Sequence, residues 1–443
     1  MRHFGGVSPK IWPQPYRRHE AQPRLLILGG GIKGTAIAAL ASLLDEFDVT
    51  LVERKQIGAG TTSTNHGRLH LGTAGWRKEK PELIQRRHKA SELLRSLPDS
   101  TTCERDGVYC FEDELDAATF LSACQQNEIP AVAIERGSLA HQWINQTKHA
   151  YIIQVPEFSF NPARLAGRFA QTCVNHGGKI ITGRKAERIL ADTDNLVVGC
   201  ENGSLLKADA VVNTMTRWCN DLQSDNDVVN PSLEIKWFRW RLLCLRSEIL
   251  SADDRLEQVT VVEDRSRKTL SAIPHRSWIT LDYMETALEE IDSPEGDEQT
   301  DWRPIDLSDR IDATTFDAVR SVFRPLQSLT SRELGRHLFS MAGIQGRLAN
   351  AKPDTEVGQI FTSDRLSRYY LTFGGQASSG LLDAIEVIER LGKDGLCTRI
   401  SRSELLERLA VSLAKDPLPG SMGMVWENLG HPPMGHPPTT AAA

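Results

Sequence analysis

No two of the eight cysteines form a C-x-x-C pair. Cys103, Cys110, Cys124, Cys173, Cys200, Cys219, Cys244 and Cys397 are scattered along the chain, which leaves no metal site and no internal iron–sulfur relay to expect. There is no surplus of positive charge either. The 52 Lys and Arg are outnumbered by 58 Asp and Glu, and the formal net charge of −6 speaks against non-specific nucleic-acid binding. A secretory apolar region near Met1 is missing, so the cysteines are expected to be reduced thiols in the cytoplasm. No apolar run of bilayer length is free of interruptions: residues 25–44 come nearest, but they contain three consecutive glycines and Lys33. No integral membrane segment is expected, although attachment to a membrane surface would leave little trace.

The 443 residues suffice for two or three domains' worth of core. The most informative stretch is Gly29-Gly30-Gly31-Ile32-Lys33-Gly34, between the apolar run Leu25–Leu28 and the small-residue run Thr35–Leu40. It reads as strand, tight turn and helix. Gly29 permits the turn, Gly31 lets backbone approach a pyrophosphate, and Gly34 lets the helix pack closely on the strand. The helix N-terminus presents N–H groups and a positive dipole end to phosphates. A second apolar strand, Val49–Val52, ends in Glu53. A carboxylate there suits an adenosine ribose and disfavours phosphorylated NADP.

The segment after Glu53 and Arg54 is more specific. Residues 57–72, with Gly58, Gly60, Thr61, Thr62, Ser63, Asn65, His66, Gly67, Arg68 and His70, resemble the signature of the FAD-dependent D-amino-acid oxidase superfamily. Within it, the likeness is to anaerobic-type glycerol-3-phosphate dehydrogenases and L-2-hydroxyglutarate oxidases, which follow the acid-ended strand with G-x-G-x-T-[ST] and then N-H-G-x-x-H-x-G. The resemblance implies FAD as cofactor. The hydroxyl and glycine residues would bring backbone N–H groups to its phosphates, and the second half of the loop would run under the isoalloxazine ring. The implied cofactor contacts are Gly29, Gly31, Ile32, Lys33, Gly34, Glu53, Arg54, Thr61, Thr62, Ser63, Asn65, His66, Gly67, Ala186 through its backbone, Thr214, Gly374, Gly375, Gln376 and Ala377. Residues 211–218 resemble the family strand V-V-N-A-A-G-x-W, with Thr214 and Thr216 in place of alanine and glycine.

The fold expected is α/β: a Rossmann-type FAD-binding domain interleaved with a substrate domain of mixed β-sheet plus helices. A flexible extension covers 1–23. FAD-binding segments follow at 24–88, 158–222 and 337–416, substrate-domain segments at 89–157 and 223–336, and a disordered tail at 417–443. Within them, Ile235–Leu242 reads as a strand whose Trp237 and Trp240 pack the sheet, with contact to substrate as the alternative. Residues 285–309, acidic and proline-containing, read as a surface loop.

The substrate end departs from the dehydrogenase pattern. The family's G-V-R-P becomes Gly343-Ile344-Gln345-Gly346-Arg347, and its G-G-K-x-x-T-Y-R becomes Gly374-Gly375-Gln376-Ala377-Ser378-Ser379-Gly380-Leu381. Loss of those cations makes a phosphate dianion a poor substrate. Arg68, Gln345, Arg347 and Gln376 are the candidate substrate contacts, with Arg347 suited to a carboxylate. His66, His70, His275 and Arg347 are the catalytic candidates, the histidines as base or hydrogen-bond partner. The function expected is oxidation of a small hydroxy or amino substrate by hydride transfer to flavin N5. A 2-hydroxy-acid dehydrogenase acting on a compound like 2-hydroxyglutarate, or an FAD-binding homologue without turnover, are the alternatives. An aromatic hydroxylase is disfavoured, because its late G-D motif is absent. The electron acceptor stays open between oxygen, a quinone and a carrier protein.

Overall fold

The computed structural model describes residues 22–69, 76, 81–103, 105–135, 143–144, 148–192, 195–224, 233–251, 254–263, 269–275, 277–283, 288–292, 301–349, 358–363, 366–374 and 376–415. His70, Gly375, the tail from 417 and all of the N-terminal extension but Gln22 and Pro23 lie outside them.

Strand Arg24–Leu28 has parallel partners on both sides, Asp48–Val52 and Ala210–Asn213. Its side chains divide between two apolar layers. Leu25 and Ile27 join a cluster with helix residues such as Ala36, Leu40 and Ile385, whereas Leu26 and Leu28 pack with Ile189, Leu196 and Val198. A strand covered on both faces needs apolar residues at every position, hence the unbroken L-L-I-L. The sheet runs Gln359–Thr362, Tyr369–Phe373, Ala210–Asn213, Arg24–Leu28, Asp48–Val52, Lys179–Ile181, all parallel except the first, which is an antiparallel edge. Helix Ile32–Leu44 is buried along its whole length. It is apolar all round because helices Pro162–Asn175, Gly380–Lys393 and Arg402–Lys415 enclose it. The opposite face of the sheet carries a four-stranded sheet that includes Ala186–Asp192 and Asn195–Cys200.

A ten-stranded sheet forms the other half of the molecule. Its longest pairing joins Ile235–Arg246 to Leu338–Leu348 in antiparallel register, and Phe316, Val319 and Val322 of helix Arg310–Val322 pack on its apolar face. Strand Leu338–Leu348 therefore lies in this sheet and not, as the boundary at 337 implied, with the dinucleotide-binding sheet. The acidic stretch 285–309 also differs from expectation, since it contains strands Leu288–Ile291 and Asp301–Pro304. In the first of them Glu289 is registered opposite Arg239, with the charges 3.9 Å apart, and Glu290 meets Lys236 at 2.9 Å. Acids that read as loop residues in isolation are strand residues opposite a basic partner.

Candidate active site

The glycine turn separates two roles. A Cβ on Gly34 would overlap the Gly29 carbonyl oxygen and lie 2.6 Å from Thr214 Oγ1, so the helix can cross the turn only if position 34 has no side chain. A Cβ on Gly31 would meet Thr62 Oγ1 alone, at 3.1 Å. Position 31 thus faces open space, the room a pyrophosphate needs. Gly31 caps the helix without a side-chain bond and the first turn holds no acid, while Ile32 N–H donates to Thr62 Oγ1 at 3.1 Å. A second helix N-terminus converges here, because a Cβ on Gly380 would lie 3.1 Å from Ile32 Cγ2 and 3.7 Å from the Lys33 nitrogen. The acid-free N-terminus of the first helix favours an anion, whereas Asp383 sits in the first turn of the second.

Lys33 holds the two helices together. Its ammonium donates to the Gly374 carbonyl at 2.9 Å and pairs with Asp383 at 3.0 Å. Arg86 reaches the same carboxylate at 3.2 Å. Gly374 has φ of 74°, and Ala377 opens the short 3-10 turn leading into the helix. The Gln376 amide oxygen is buried with no hydrogen-bond partner among the described residues.

Both Glu53 carboxylate oxygens accept backbone N–H groups, from Gly30 at 2.6 Å and from Lys55 at 2.8 Å. Burial raises the Glu53 carboxyl against the pull of these bonds. Arg184 N–H donates to the Glu53 carbonyl at 3.0 Å, which brings the segment leading to Ala186 alongside. Arg54 stacks 3.8 Å from the Trp218 ring centroid. Thr214 Oγ1 donates to the Leu28 carbonyl at 2.8 Å, so the hydroxyl that replaces the family's alanine ties the strand to the turn. Thr216, standing where the family has glycine, keeps a left-handed φ of 50°, a conformation costly for a β-branched residue.

In the following loop, Ser63 Oγ donates to the Gly60 carbonyl at 3.0 Å and Gly67 N–H to Asn65 Oδ1 at 2.8 Å. His66 is the best-defined candidate. Arg68 N–H donates to His66 Nδ1 at 3.0 Å, so the neutral ring carries its proton on Nε2. Burial, then Arg68 and His275, hold its pKa down to about 3. In this tautomer His66 presents its Nε2–H as a donor. His275 differs more from expectation. Its Nε2 donates to the His66 carbonyl at 3.1 Å and its Nδ1 lies 3.4 Å from Thr102 Oγ1. A Cβ on Gly67, at φ of 72°, would come within 2.6 Å of its ring. It backs the loop from behind. Arg68 is also withdrawn from any substrate: it is 2% exposed, bonded to Glu157 at 2.7 Å and to the Tyr109 hydroxyl. An arginine so enclosed is an internal counter-ion. The sequence gives no sign of its partner Glu157, whose burial is set by the fold; an acid so buried requires a partner.

Burial holds His275 at about 4. A histidine depressed below its unfolded value of about 6.5 contributes stability that is present above pH 6.5 and lost as pH falls toward the folded value. Asp282, pushed up to about 6 by burial, acts in the opposite sense. His275→Gln, which keeps a donor for the His66 carbonyl, should flatten the acid loss of stability between pH 6.5 and 4.5 by roughly 2–3 kcal/mol. Thermal melts across that range check this, and an unaltered slope would contradict it.

The other wall comes from the long strand pair. Thr61 Oγ1 donates to the Ile344 carbonyl at 3.2 Å. A Cβ on Gly343 would strike Thr64 Oγ1 and lie 2.5 Å from Trp240 Nε1, so the face bearing position 343 abuts the loop. Side chains alternate along a strand. Gln345 and Arg347 share that face with Gly343, and the register sets Trp240, Phe238 and Lys236 opposite Gly343, Gln345 and Arg347 in turn. His66 meets Trp240 edge-on, with centroids 6.2 Å apart. Gly31 and Thr62 thus meet at the turn, Thr61 and Thr64 of the following loop meet Ile344 and Gly343, and Gln345 and Arg347 continue the same strand face, while Arg68 and His275 lie behind the loop. Among the described residues no cluster of His, Cys, Asp or Glu suits a metal ion, and no helix is long and apolar enough to cross a membrane.

The chain is 28% identical over 197 residues to one component of the anaerobic glycerol-3-phosphate dehydrogenase of Haemophilus influenzae, covering 43% of this chain and 34% of that one. It is 26% identical over 312 residues to a component of the anaerobic glycerol-3-phosphate dehydrogenase of Haloferax volcanii, covering 64% and 49%. It thus spans between a third and a half of the length of these relatives. Among solved structures, L-alpha-glycerophosphate oxidase from Mycoplasma pneumoniae with FAD bound superposes with a TM-score of 0.65 at 14% identity, over 84% of this chain and 95% of that one. Glycine oxidase from Geobacillus kaustophilus gives 0.61 at 15% identity, over 86% and 100%. At such identities the likeness is one of fold. The DAO family model, FAD dependent oxidoreductase, matches residues 24–324, the span that holds the glycine turn, Glu53 and His66, and the chain belongs to that family.

Proposed function

We propose that this chain oxidises a small hydroxy or amino acid bearing a carboxylate, and that glycerol 3-phosphate is not its substrate. The cofactor-binding reading rests on the open side of Gly31 and the acid-free helix N-terminus it caps. In this reading Gly29, Gly31, Ile32, Gly34, Arg54, Thr61, Thr62 and Ser63 surround the FAD phosphates, and Lys33 acts through its backbone. Glu53 and Ala186 take the adenosine end, while Asn65, His66, Gly67, Thr214, Gly374, Gly375, Gln376 and Ala377 take the flavin end. When bound, FAD supplies the acceptor for the two electrons leaving the substrate C–H bond.

The observation that carries the substrate reading is Gln345. It occupies the loop-facing side of strand Leu338–Leu348, where the dehydrogenase motif has arginine, and Gln376 replaces the motif's lysine. A phosphate dianion would lose charge-assisted bonds worth about 1.5–3 kcal/mol each. Arg347 shares the face of Gln345 and can fork onto a carboxylate. His66 Nε2–H donates to the substrate or flavin atom that gathers charge, and its depressed pKa keeps it neutral across physiological pH. Arg347→Ala is expected to lower kcat/KM ten- to a hundredfold with FAD content unchanged, and Arg347→Lys to restore only part of it. Gln345→Arg combined with Gln376→Lys should improve binding of glycerol 3-phosphate. Unchanged efficiency in Arg347→Ala would remove that residue from the site.

A further inference from the structure

We infer that Phe238 and Trp240 determine specificity, and that the substrate carries a flat or branched apolar body beside its carboxylate. The inference rests on the carboxylate reading above and deepens it.

The register sets Phe238 directly opposite Gln345 and Trp240 directly opposite Gly343, on the face that abuts the loop of Thr61, Thr64 and His66. The intervening Trp237 points to the other face, where it packs on the layer containing Leu26, Ile189 and Ile235. Packing accounts for Trp240 in part. One side of it rests on the cluster of Leu242, Cys244, Trp278, Phe339 and Met341, which fixes the ring while its edge meets His66. Phe238 has no apolar packing of that kind. It belongs to none of the apolar clusters formed by the described residues and is only partly buried.

The nearest charge strengthens the point. The Arg347 guanidinium lies over the Phe238 ring at 5.0 Å, and Lys236, further along the strand, pairs with Glu290 at 2.9 Å. Where the dehydrogenase motif has arginine, this wall has Gln345, flanked by Phe238 opposite, Trp240, and Arg347 laid on the Phe238 ring. A small phosphate or a bare hydroxy acid would leave the two rings wet. A ligand with a ring or a branched chain next to its carboxylate would cover them, and ring-on-ring contact adds to the area term.

The test uses the FAD-loaded protein and two acids it cannot oxidise, phenylacetate and acetate, with affinities read from perturbation of the flavin absorption band. Phenylacetate is expected to bind at least about tenfold more tightly than acetate. Phe238→Ala should weaken phenylacetate about tenfold and leave acetate within about twofold, and Phe238→Tyr should restore the preference with FAD content unchanged in both. Equal affinity for the two acids, or equal loss of both in Phe238→Ala, would overturn the inference and leave the carboxylate reading standing. If neither acid perturbs the flavin, the carboxylate reading itself fails and takes this inference with it.

Discussion

Gly34→Ala is expected to destabilise the protein by about 3 kcal/mol or more and to strip it of FAD, whereas Gly31→Ala should leave the apoprotein's melting temperature nearly unchanged. The contrast follows from what each new methyl meets. At position 34 it would overlap the Gly29 carbonyl and press on Thr214 Oγ1, at 2.6 Å. Both belong to the strand and turn on which the helix rests, so neither can move without pulling the central strand out of register. At position 31 it would meet one hydroxyl at 3.1 Å and otherwise enter the space assigned to the pyrophosphate. Gly31→Ala should therefore weaken FAD binding without weakening the fold. Melting of the apoprotein together with FAD titration separates the two effects, and equal behaviour of the two variants would contradict the division of roles.

Glu157→Ala should cost about 3–5 kcal/mol, because it leaves the Arg68 guanidinium buried without its counter-ion. Arg68 and Glu157 are 2% and 0% exposed, and the Tyr109 hydroxyl closes the group by donating to Glu157 at 3.1 Å. Removing both charges with Arg68→Met and Glu157→Leu should be far milder, since a buried ion pair often does no better than apolar residues of the same volume. Urea unfolding of the two variants makes the comparison. If the single substitution is as mild as the double, Arg68 has access to water and regains its place as a candidate substrate contact. The same experiment bears on His66, because the backbone of Arg68 sets the tautomer of that ring.

What the sequence made legible was what is local in it. The glycine turn, the apolar strand before it and Glu53 at the end of the next strand lie within one stretch of chain, and each restricts the others. The strand beginning at Ile235 could be read for the same reason. The misreadings all involve partners distant in the chain. Arg68 looks like a cation near the substrate until Glu157 is brought against it, and the side chain of Lys33 gains its partner Asp383 only from the last third of the chain. His275 looks like a loop base until its ring is found bonded to the carbonyl of His66. Residue type and spacing do not encode such pairings. The tautomer of His66, which decides between donor and base, depends on one backbone N–H and has no signature in composition. Phe238 went unnoticed because a lone phenylalanine in a strand is ordinarily core; only the register, with Gln345 opposite, gives it a site.

The most direct test is anaerobic mixing of the FAD-loaded protein with a panel of 2-hydroxy acids, amino acids and glycerol 3-phosphate, watching the flavin absorption band. Bleaching by at least one of the acids, strongest for those with an apolar side chain, and none of comparable rate by glycerol 3-phosphate is the expected result. Rapid bleaching by glycerol 3-phosphate, or none by any acid, would contradict it.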